Sequence, residues 1–176
     1  MESYEGVVYD LDGTLVRLNV DWGQARVDTA AKLRPRGIDV DGQDLWDLLA
    51  RARDEGFEQL LERALSAHER DGARTSVVLP ASAELPLSVP TGVCSLNCEA
   101  ACRIALEIHG LDGHVDAVVG RDTLDAHKPD PEPLLDTIDR LAVSPEETLF
   151  VGDSETDAIT AERAGVDFRY VDDHVG

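Results

Sequence analysis

The chain has 176 residues, and its 36 Asp and Glu against 16 Lys and Arg give a formal net charge of −20. So acidic a surface repels nucleic-acid backbones, while 43% hydrophobic residues in periodic patterns argue against disorder. No apolar run is long enough to cross a bilayer, and the N-terminus does not resemble a signal peptide. We therefore expect a soluble cytoplasmic protein with no nucleic-acid or membrane partner. The acidic excess suggests a halophilic protein from a high-salt cytoplasm.

The first predicted element is a short apolar strand, Gly6 to Asp10, which is followed by a second acid at Asp12. Two acids one residue apart beyond a buried strand repel each other unless a cation or a proton separates them. Open α/β sheets bind ligands at that end of their strands. The pattern predicts a metal-assisted nucleophile beside a general acid/base. An EF-hand loop starting at Asp10 is excluded, because its positions 6 and 12 would hold Leu15 and Asp21.

A helical insert is predicted after this strand, at residues 17–72. Residues 21–33 have a helical pattern, and a longer amphipathic stripe covers residues 43–68. The stripe breaks at Gly56, where we expect a kink or a split between two helices. Asp71-Gly72 indicates a turn at the end of the insert.

Strands and helices alternate in the remainder of the chain, after a proline-rich loop at residues 73–90 with at most a short helix. Helices of about ten residues between short strands predict a parallel sheet. The predicted strands lie at 93–94, 117–119, 148–151 and 168–171, and the helices at 98–108, 131–141 and 156–164. The expected fold class is α/β. It has a Rossmann-like parallel sheet core (residues 1–16 and 73–176) and a small α-helical cap (residues 17–72) inserted after the first strand.

The later strand ends carry further candidate site residues. Ser95 precedes a helix whose N-terminal N–H groups suit a phosphate, and Asn97 can cap that helix. Lys128, one of only two lysines, precedes a proline turn and offers a point cation for a phosphoryl group. Asp153 and Asp157 follow the strand at 148–151 and are hard oxygen ligands suited to Mg²⁺. Alone, these residues also have ordinary interpretations, as helix caps or as a surface lysine.

The cysteines and tryptophans give weaker signals. Cys94, Cys98 and Cys102 do not match the C-x₂-C spacing of a zinc site, so we interpret them as small buried thiols. Trp22 and Trp46 both fall in the insert, where we expect them to pack the cap helices.

Taken together, the motifs resemble those of the haloacid dehalogenase-like (HAD) hydrolases over nearly the whole chain. Asp10-Leu11-Asp12-Gly13-Thr14 matches the first motif of that family, Ser95 the second and Lys128 the third. Gly152-Asp153 with Asp157 matches the fourth. The helical insert resembles the C1 cap of the family, and the His-Lys-Pro-Asp-Pro segment is similar to the phosphoglycolate phosphatase-like branch.

The resemblance implies a Mg²⁺-dependent phosphatase acting on a small-molecule phosphate ester. Asp10 would attack phosphorus to form an aspartyl-phosphate, and Asp12 would protonate the leaving alcohol and then activate water. Asp12 would reach the metal through its main-chain carbonyl. The implied metal ligands are Asp10, Asp12, Asp153 and Asp157, and the implied phosphate-binding residues are Ser95 and Lys128.

Three alternatives are weighed against this interpretation. A phosphomutase uses the same two acids and a similar cap, and differs in returning the phosphoryl group to a sugar. A phospho-acceptor signalling module of the receiver type also clusters Asp, Ser/Thr and Lys, but it lacks both the D-x-D-G-T motif and the helical insert. A dehalogenase lacks the second acid of the first motif, so Asp12 argues against it.

Overall fold

Strands and helices alternate along the chain in the computed structural model, which describes residues 4–174. In chain order the elements are β1 (Gly6–Tyr9), β2 (Val16–Arg17), α1 (Trp22–Leu33), α2 (Leu45–Asp54), α3 (Glu58–Arg74), β3 (Val77–Val78), β4 (Thr91–Cys94), α4 (Glu99–Ile108), β5 (Ala117–Val119), α5 (Glu132–Leu141), β6 (Thr148–Gly152), α6 (Glu155–Ala164), β7 (Asp167–Tyr170) and α7 (Val171–His174). Short 3₁₀ helices occupy Arg34–Arg36, Pro80–Glu84, Asp112–His114 and Pro145–Glu147. None of the helices in the described part of the chain is long and apolar enough to cross a membrane.

The central sheet has five parallel strands in the order β5-β4-β1-β6-β7. Strand β1 is wholly buried, and its successive side chains point to opposite faces, as the strand period of two requires. Val7 and Tyr9 join the apolar cluster that contains helix α4, whereas Val8 joins the cluster that contains α5 and α6. The predicted Rossmann-like parallel sheet is therefore confirmed, and helices cover both of its faces. Because β1 lies between β4 and β6, the loops that follow these three strands meet at one edge.

The cap consists of α1, α2 and α3, which pack around an apolar cluster of their own. Gly56 has φ +77° and separates α2 from α3, as its break in the stripe predicts. Trp22 and Trp46 are 39% and 49% exposed and lie outside this cluster, so the expectation that they pack the cap helices is wrong. Both tryptophans lie in the first turn of their helices, and neither is among the buried residues of α1 or α2. The cap boundary at residues 17–72 stays a prediction.

The turn predicted at Asp71-Gly72 is wrong, because both residues lie inside helix α3. A Cβ atom at Gly72 would lie 2.6 Å from Cγ2 of Val20 and 2.9 Å from the backbone of Asn19. The glycine therefore serves a close approach between the helix and the chain that enters the cap. Beyond α3, Pro80–Glu84 forms a short helix, which the prediction for the proline-rich segment allowed. The prediction of a loop is wrong at Val77–Val78, because these residues form strand β3 and pair antiparallel with β2.

The three cysteines are free, buried thiols, as their apolar neighbours predict. Burial raises the pKa of the Cys94 thiol to about 12 and that of Cys98 to about 11. Burial also raises the pKa of Cys102 well above its ordinary value. The thiols therefore act as small apolar side chains that pack against the sheet.

Candidate active site

Three of the predicted site residues form a buried ion cluster at the carboxyl edge of the sheet. The backbone N–H of Asp10 donates to the carbonyl of Val151 (2.8 Å), so Asp10 extends β1 by one residue beside β6. Nζ of Lys128 lies 2.8 Å from Oδ1 of Asp10 and 2.5 Å from Oδ1 of Asp157. All three side chains are less than one-tenth exposed. A single ammonium group thus joins the residue after β1, the loop after β5 and the first turn of helix α6.

Asp153 completes a group of three carboxylates with Asp10 and Asp157, in which one oxygen from each lies within 4.8 Å of the others. Two glycines make this approach possible. Gly13 has φ +94°, and a Cβ atom there would lie 2.0 Å from Oδ2 of Asp153. A Cβ atom at Gly152 would lie 2.6 Å from Oδ2 of Asp157. The glycines of both acidic motifs therefore leave the space that the carboxylates occupy.

Asp157 is held by the start of helix α6 as well as by Lys128. Ser154 is the N-cap of α6, and its hydroxyl accepts from the Asp157 N–H (3.2 Å) and donates to Oδ2 of Asp157 (2.6 Å). The Ser154 N–H donates to the same oxygen (3.2 Å), which completes a capping box. Ser154 was not among the predicted site residues, although its position three residues before Asp157 is the sequence signature of this motif. The capping box orients a carboxylate of the site.

The electrostatics of the group favour a cation. Burial raises the pKa of Asp10 to about 7, with Lys128 opposing the shift and Asp157 adding to it. Burial also raises the pKa of Asp153, to which the charge of Asp157 contributes. For Lys128, burial alone would lower the pKa, but the charges of Asp10 and Asp157 outweigh it and the pKa is raised. Three oxygen donors whose charges repel each other fit a hard divalent cation, which would relieve that repulsion.

Asp12 is fixed apart from the three carboxylates. Its Oδ1 accepts a hydrogen bond from the N–H of Leu18 (2.8 Å), in the segment that follows β2. Burial raises its pKa. Its side chain is not part of the group of three described above. A half-buried carboxyl group with a raised pKa, two residues along the chain from the nucleophile candidate, suits proton transfer.

Ser95 lies at the end of β4, buried, and interacts with Asn97. Its hydroxyl donates to Oδ1 of Asn97 and accepts from the Asn97 N–H, both at 3.1 Å. The prediction that Asn97 caps helix α4 is wrong, because the N-cap position is Cys98 and lacks a side-chain cap bond. The Cys98 N–H instead donates to Oε2 of Glu69, a carboxylate supplied by cap helix α3 (3.0 Å). A carboxylate from a distant segment, and not a neighbouring side chain, therefore binds the N–H at the start of this helix.

The sequence patterns did not indicate a buried ion network next to the site, which consists of Glu62, Glu69 and Arg121. Glu69 is completely buried and continues the buried i, i+4 row of Leu61 and Leu65 on α3. An acid on the apolar stripe of a helix is a signal of a buried partner, because an unpaired buried charge is costly. The partner is Arg121, whose guanidinium contacts both glutamates at 2.6 Å.

A cleft of about 1080 Å³ lies between the cap and the core, and Lys128 forms part of its wall. Nη2 of Arg53, from the cap, approaches Nδ1 of His127 at 3.4 Å, and burial followed by the Arg53 charge lowers the pKa of this histidine. Other residues lining the cleft include Trp46, Leu49 and Leu124. The volume exceeds that of a phosphate group, so the cleft can also hold the alcohol portion of an ester.

These features define a capped α/β protein with a cluster of three carboxylates and a lysine at its sheet edge. The family model of the haloacid dehalogenase-like hydrolases matches residues 82–171. The chain is 35% identical to a phosphoglycolate phosphatase of Rhodospirillum rubrum, over 92% of this chain and 77% of the relative. It is 34% identical to a phosphoglycolate phosphatase of Cereibacter sphaeroides, over 93% and 83%. The chain therefore belongs to the haloacid dehalogenase-like hydrolase family, as the resemblance of its motifs implies.

A solved structure agrees with this assignment. A HAD-superfamily hydrolase of subfamily IA from Geobacter sulfurreducens has a TM-score of 0.61 and 25% sequence identity, covering 95% of this chain and 86% of that chain. The match extends across both the sheet and the helical insert, which confirms the predicted fold class.

Proposed function

We propose that this hydrolase is a Mg²⁺-dependent phosphatase, which cleaves a small-molecule phosphate monoester through an aspartyl-phosphate on Asp10. The observation that carries the proposal is the Lys128 ammonium between Asp10 and Asp157, in a three-carboxylate group beside a substrate-sized cleft. Relatives that are 34–35% identical and carry the name phosphoglycolate phosphatase support the same chemistry.

The chain's own residues account for both proton transfers. A carboxylate oxygen of Asp10 forms a bond to phosphorus while the bond from phosphorus to the alcohol oxygen breaks, and the Asp12 carboxyl group gives its proton to that oxygen. In the second half, Asp12 takes a proton from water as the water oxygen attacks phosphorus. The aspartyl–phosphorus bond breaks, and inorganic phosphate and the Asp10 carboxylate are released.

Phosphate binding is assigned to Lys128 and Ser95. An ammonium group has three donors, and two of those of Lys128 are used by Asp10 and Asp157. The third donor is then available to a phosphoryl oxygen, next to the attacking carboxylate. Ser95 lies at the end of the neighbouring strand, and its hydroxyl can turn from Asn97 toward a second phosphoryl oxygen.

The carboxylates of Asp10, Asp153 and Asp157, with the main-chain carbonyl of Asp12, would hold the Mg²⁺ ion. The ion supplies positive charge that lets an anionic nucleophile approach an anionic phosphate. Fixed oxygen donors from only a few residues suit this ion, because it retains several of its waters.

The test is a phosphate-release screen over phosphoglycolate, sugar phosphates and nucleoside monophosphates, with Mg²⁺ and with EDTA, in concentrated KCl. We expect release of free phosphate from one of these monoesters only when the divalent ion is present. Conversion of a sugar phosphate into its isomer without free phosphate would identify a phosphomutase instead. A stable phosphoprotein without turnover would identify a signalling module.

We also propose that the protein is halophilic and works in a high-salt cytoplasm. With a formal charge of −20, like charges repel one another across the folded surface, and salt screens this repulsion. We expect the melting temperature and the rate of turnover to rise between about 0.1 M and about 2 M KCl, as the screening length falls. Sucrose at matched osmolarity is the control for solvent exclusion. Equal stability and activity in dilute buffer would refute the proposal.

A further inference from the structure

Arg121 lies in the loop after β5 and uses all five of its N–H donors. Nε and Nη2 contact the two oxygens of Glu62, at 3.0 and 2.6 Å. Nη1 and Nη2 contact the two oxygens of Glu69, at 2.6 and 2.9 Å. The remaining donor of Nη1 binds the carbonyl of Leu96, at 2.6 Å. Two bidentate carboxylates and one carbonyl satisfy the complete donor set of the guanidinium.

The two glutamates belong to the cap, whereas Arg121 belongs to the core. Glu62 and Glu69 are seven residues apart, two turns along the same face of α3. The side chains of Arg121 and Glu69 are 5% and 0% exposed, and that of Glu62 is 26% exposed. Burial alone would raise the pKa of Glu62, but its bonds to Arg121 outweigh burial and the pKa is lowered. Glu62 therefore remains charged, and one arginine holds α3 at two points.

The same network controls the backbone that carries the proposed phosphate-binding hydroxyl. Arg121 binds the carbonyl of Leu96 with its side chain and the carbonyl of Asn97 with its own N–H (2.9 Å). Glu69 accepts from the N–H of Cys98 (3.0 Å) and from Nδ2 of Asn97 (3.4 Å). Asn97 in turn holds the hydroxyl of Ser95. Every residue from 95 to 98 is thus bonded, directly or through one neighbour, to the Arg121–Glu69 pair.

We propose that Arg121 is a positioning residue for the phosphatase reaction, and that with Glu69 it sets the geometry of the loop 95–98 around the phosphoryl group. The inference rests on the proposed function. Stability alone does not account for the network, because apolar side chains often replace a buried charge triad with no loss of stability. What apolar side chains cannot supply is an acceptor for the Cys98 N–H and a donor for the Leu96 carbonyl.

The experiment compares Arg121→Lys with a triple variant in which Arg121→Met, Glu62→Leu and Glu69→Met are combined. The control is Arg140→Gln, which breaks a partly exposed i, i+4 ion pair with Asp136 on α5. KM and kcat are measured with the monoester that the screen identifies, and the dissociation constant of inorganic phosphate by calorimetry. Hydrogen exchange at the Cys98 amide reports the order of the loop.

We expect the triple variant to fold, with KM and the dissociation constant of phosphate both raised about tenfold, and with faster exchange at Cys98. Arg121→Lys keeps the charge but loses the bidentate contacts, so its values should be intermediate, and Arg140→Gln should match the parent. The conservative variant decides the question if the triple variant does not fold. A folded triple variant, or Arg121→Lys, with parental KM and phosphate affinity would overturn the proposal. If the parent protein hydrolyses no monoester, the proposed function is refuted. In that case hydrogen exchange still tests the network, because an unchanged exchange rate at Cys98 in the variants would refute the role of Arg121.

Discussion

The Asp10→Asn substitution is expected to abolish phosphate release and to leave the fold intact. An amide cannot form the aspartyl-phosphate, and loss of a covalent nucleophile costs about four to six orders of magnitude in kcat. The fold should persist because the amide has nearly the same shape as the carboxyl group. In addition, burial has raised the pKa of Asp10 to about 7, so removal of its charge relieves a desolvation cost. Lys128 retains Asp157 as its partner.

The measurement is a continuous phosphate assay together with a thermal unfolding curve for each protein. Asp112→Asn is the matched control, because it makes the same chemical change on an exposed residue remote from the sheet edge. It should retain parental turnover. Full activity in the Asp10→Asn variant would remove Asp10 as the nucleophile, whereas loss of activity with loss of folding would point to a structural role.

The Lys128→Met substitution is expected to reduce both stability and turnover. It leaves the carboxylates of Asp10 and Asp157 buried beside each other without their shared cation, which costs about 3–5 kcal/mol of unfolding free energy. It also removes the donor assigned to the phosphoryl group, a loss of about 10²–10³-fold in kcat. Mg²⁺ should restore part of the stability, because an ion that binds only the folded state stabilises that state.

The comparison uses chemical denaturation with EDTA and with Mg²⁺. Lys32→Met is the control, since Lys32 is the only other lysine in the chain and is exposed on cap helix α1. That variant should behave as the parent in both conditions. A Lys128→Met protein that keeps parental stability in EDTA and parental turnover in Mg²⁺ would contradict the role given to the ammonium group.

The sequence predicted the sheet and the placement of the acids because their signals are local. Asp10 and Asp153 each directly follow an apolar strand, and parallel strands place their carboxyl ends at one edge. Adjacency of β1 and β6 then brings the two acids together, whatever the details of packing. Lys128 was recognisable from its rarity in an arginine-rich chain and from its proline turn.

The features that were missed depend on contacts between distant segments. The dipeptide Asp71-Gly72 is typical of turns, but both residues lie within helix α3. The close approach of the Asn19 backbone explains why a glycine occupies this helical position. Asn97 is a good helix cap by type, but Glu69 reaches the N–H of Cys98 from 29 positions away in the sequence. Nothing near Arg121 in the sequence indicates its glutamate partners. Such pairings follow from how the cap docks, which local propensity does not encode.

The most direct test of the account is to locate the phosphoryl group on the protein during turnover. The parent enzyme is mixed with its monoester and Mg²⁺, quenched in acid within one turnover, digested and mapped by mass spectrometry. The account predicts one phosphorylated peptide, with the modification on the carboxylate of Asp10 and absent from the Asp10→Asn protein. Phosphorylation of a different residue, or rapid turnover with every peptide unmodified at all quench times, would contradict it.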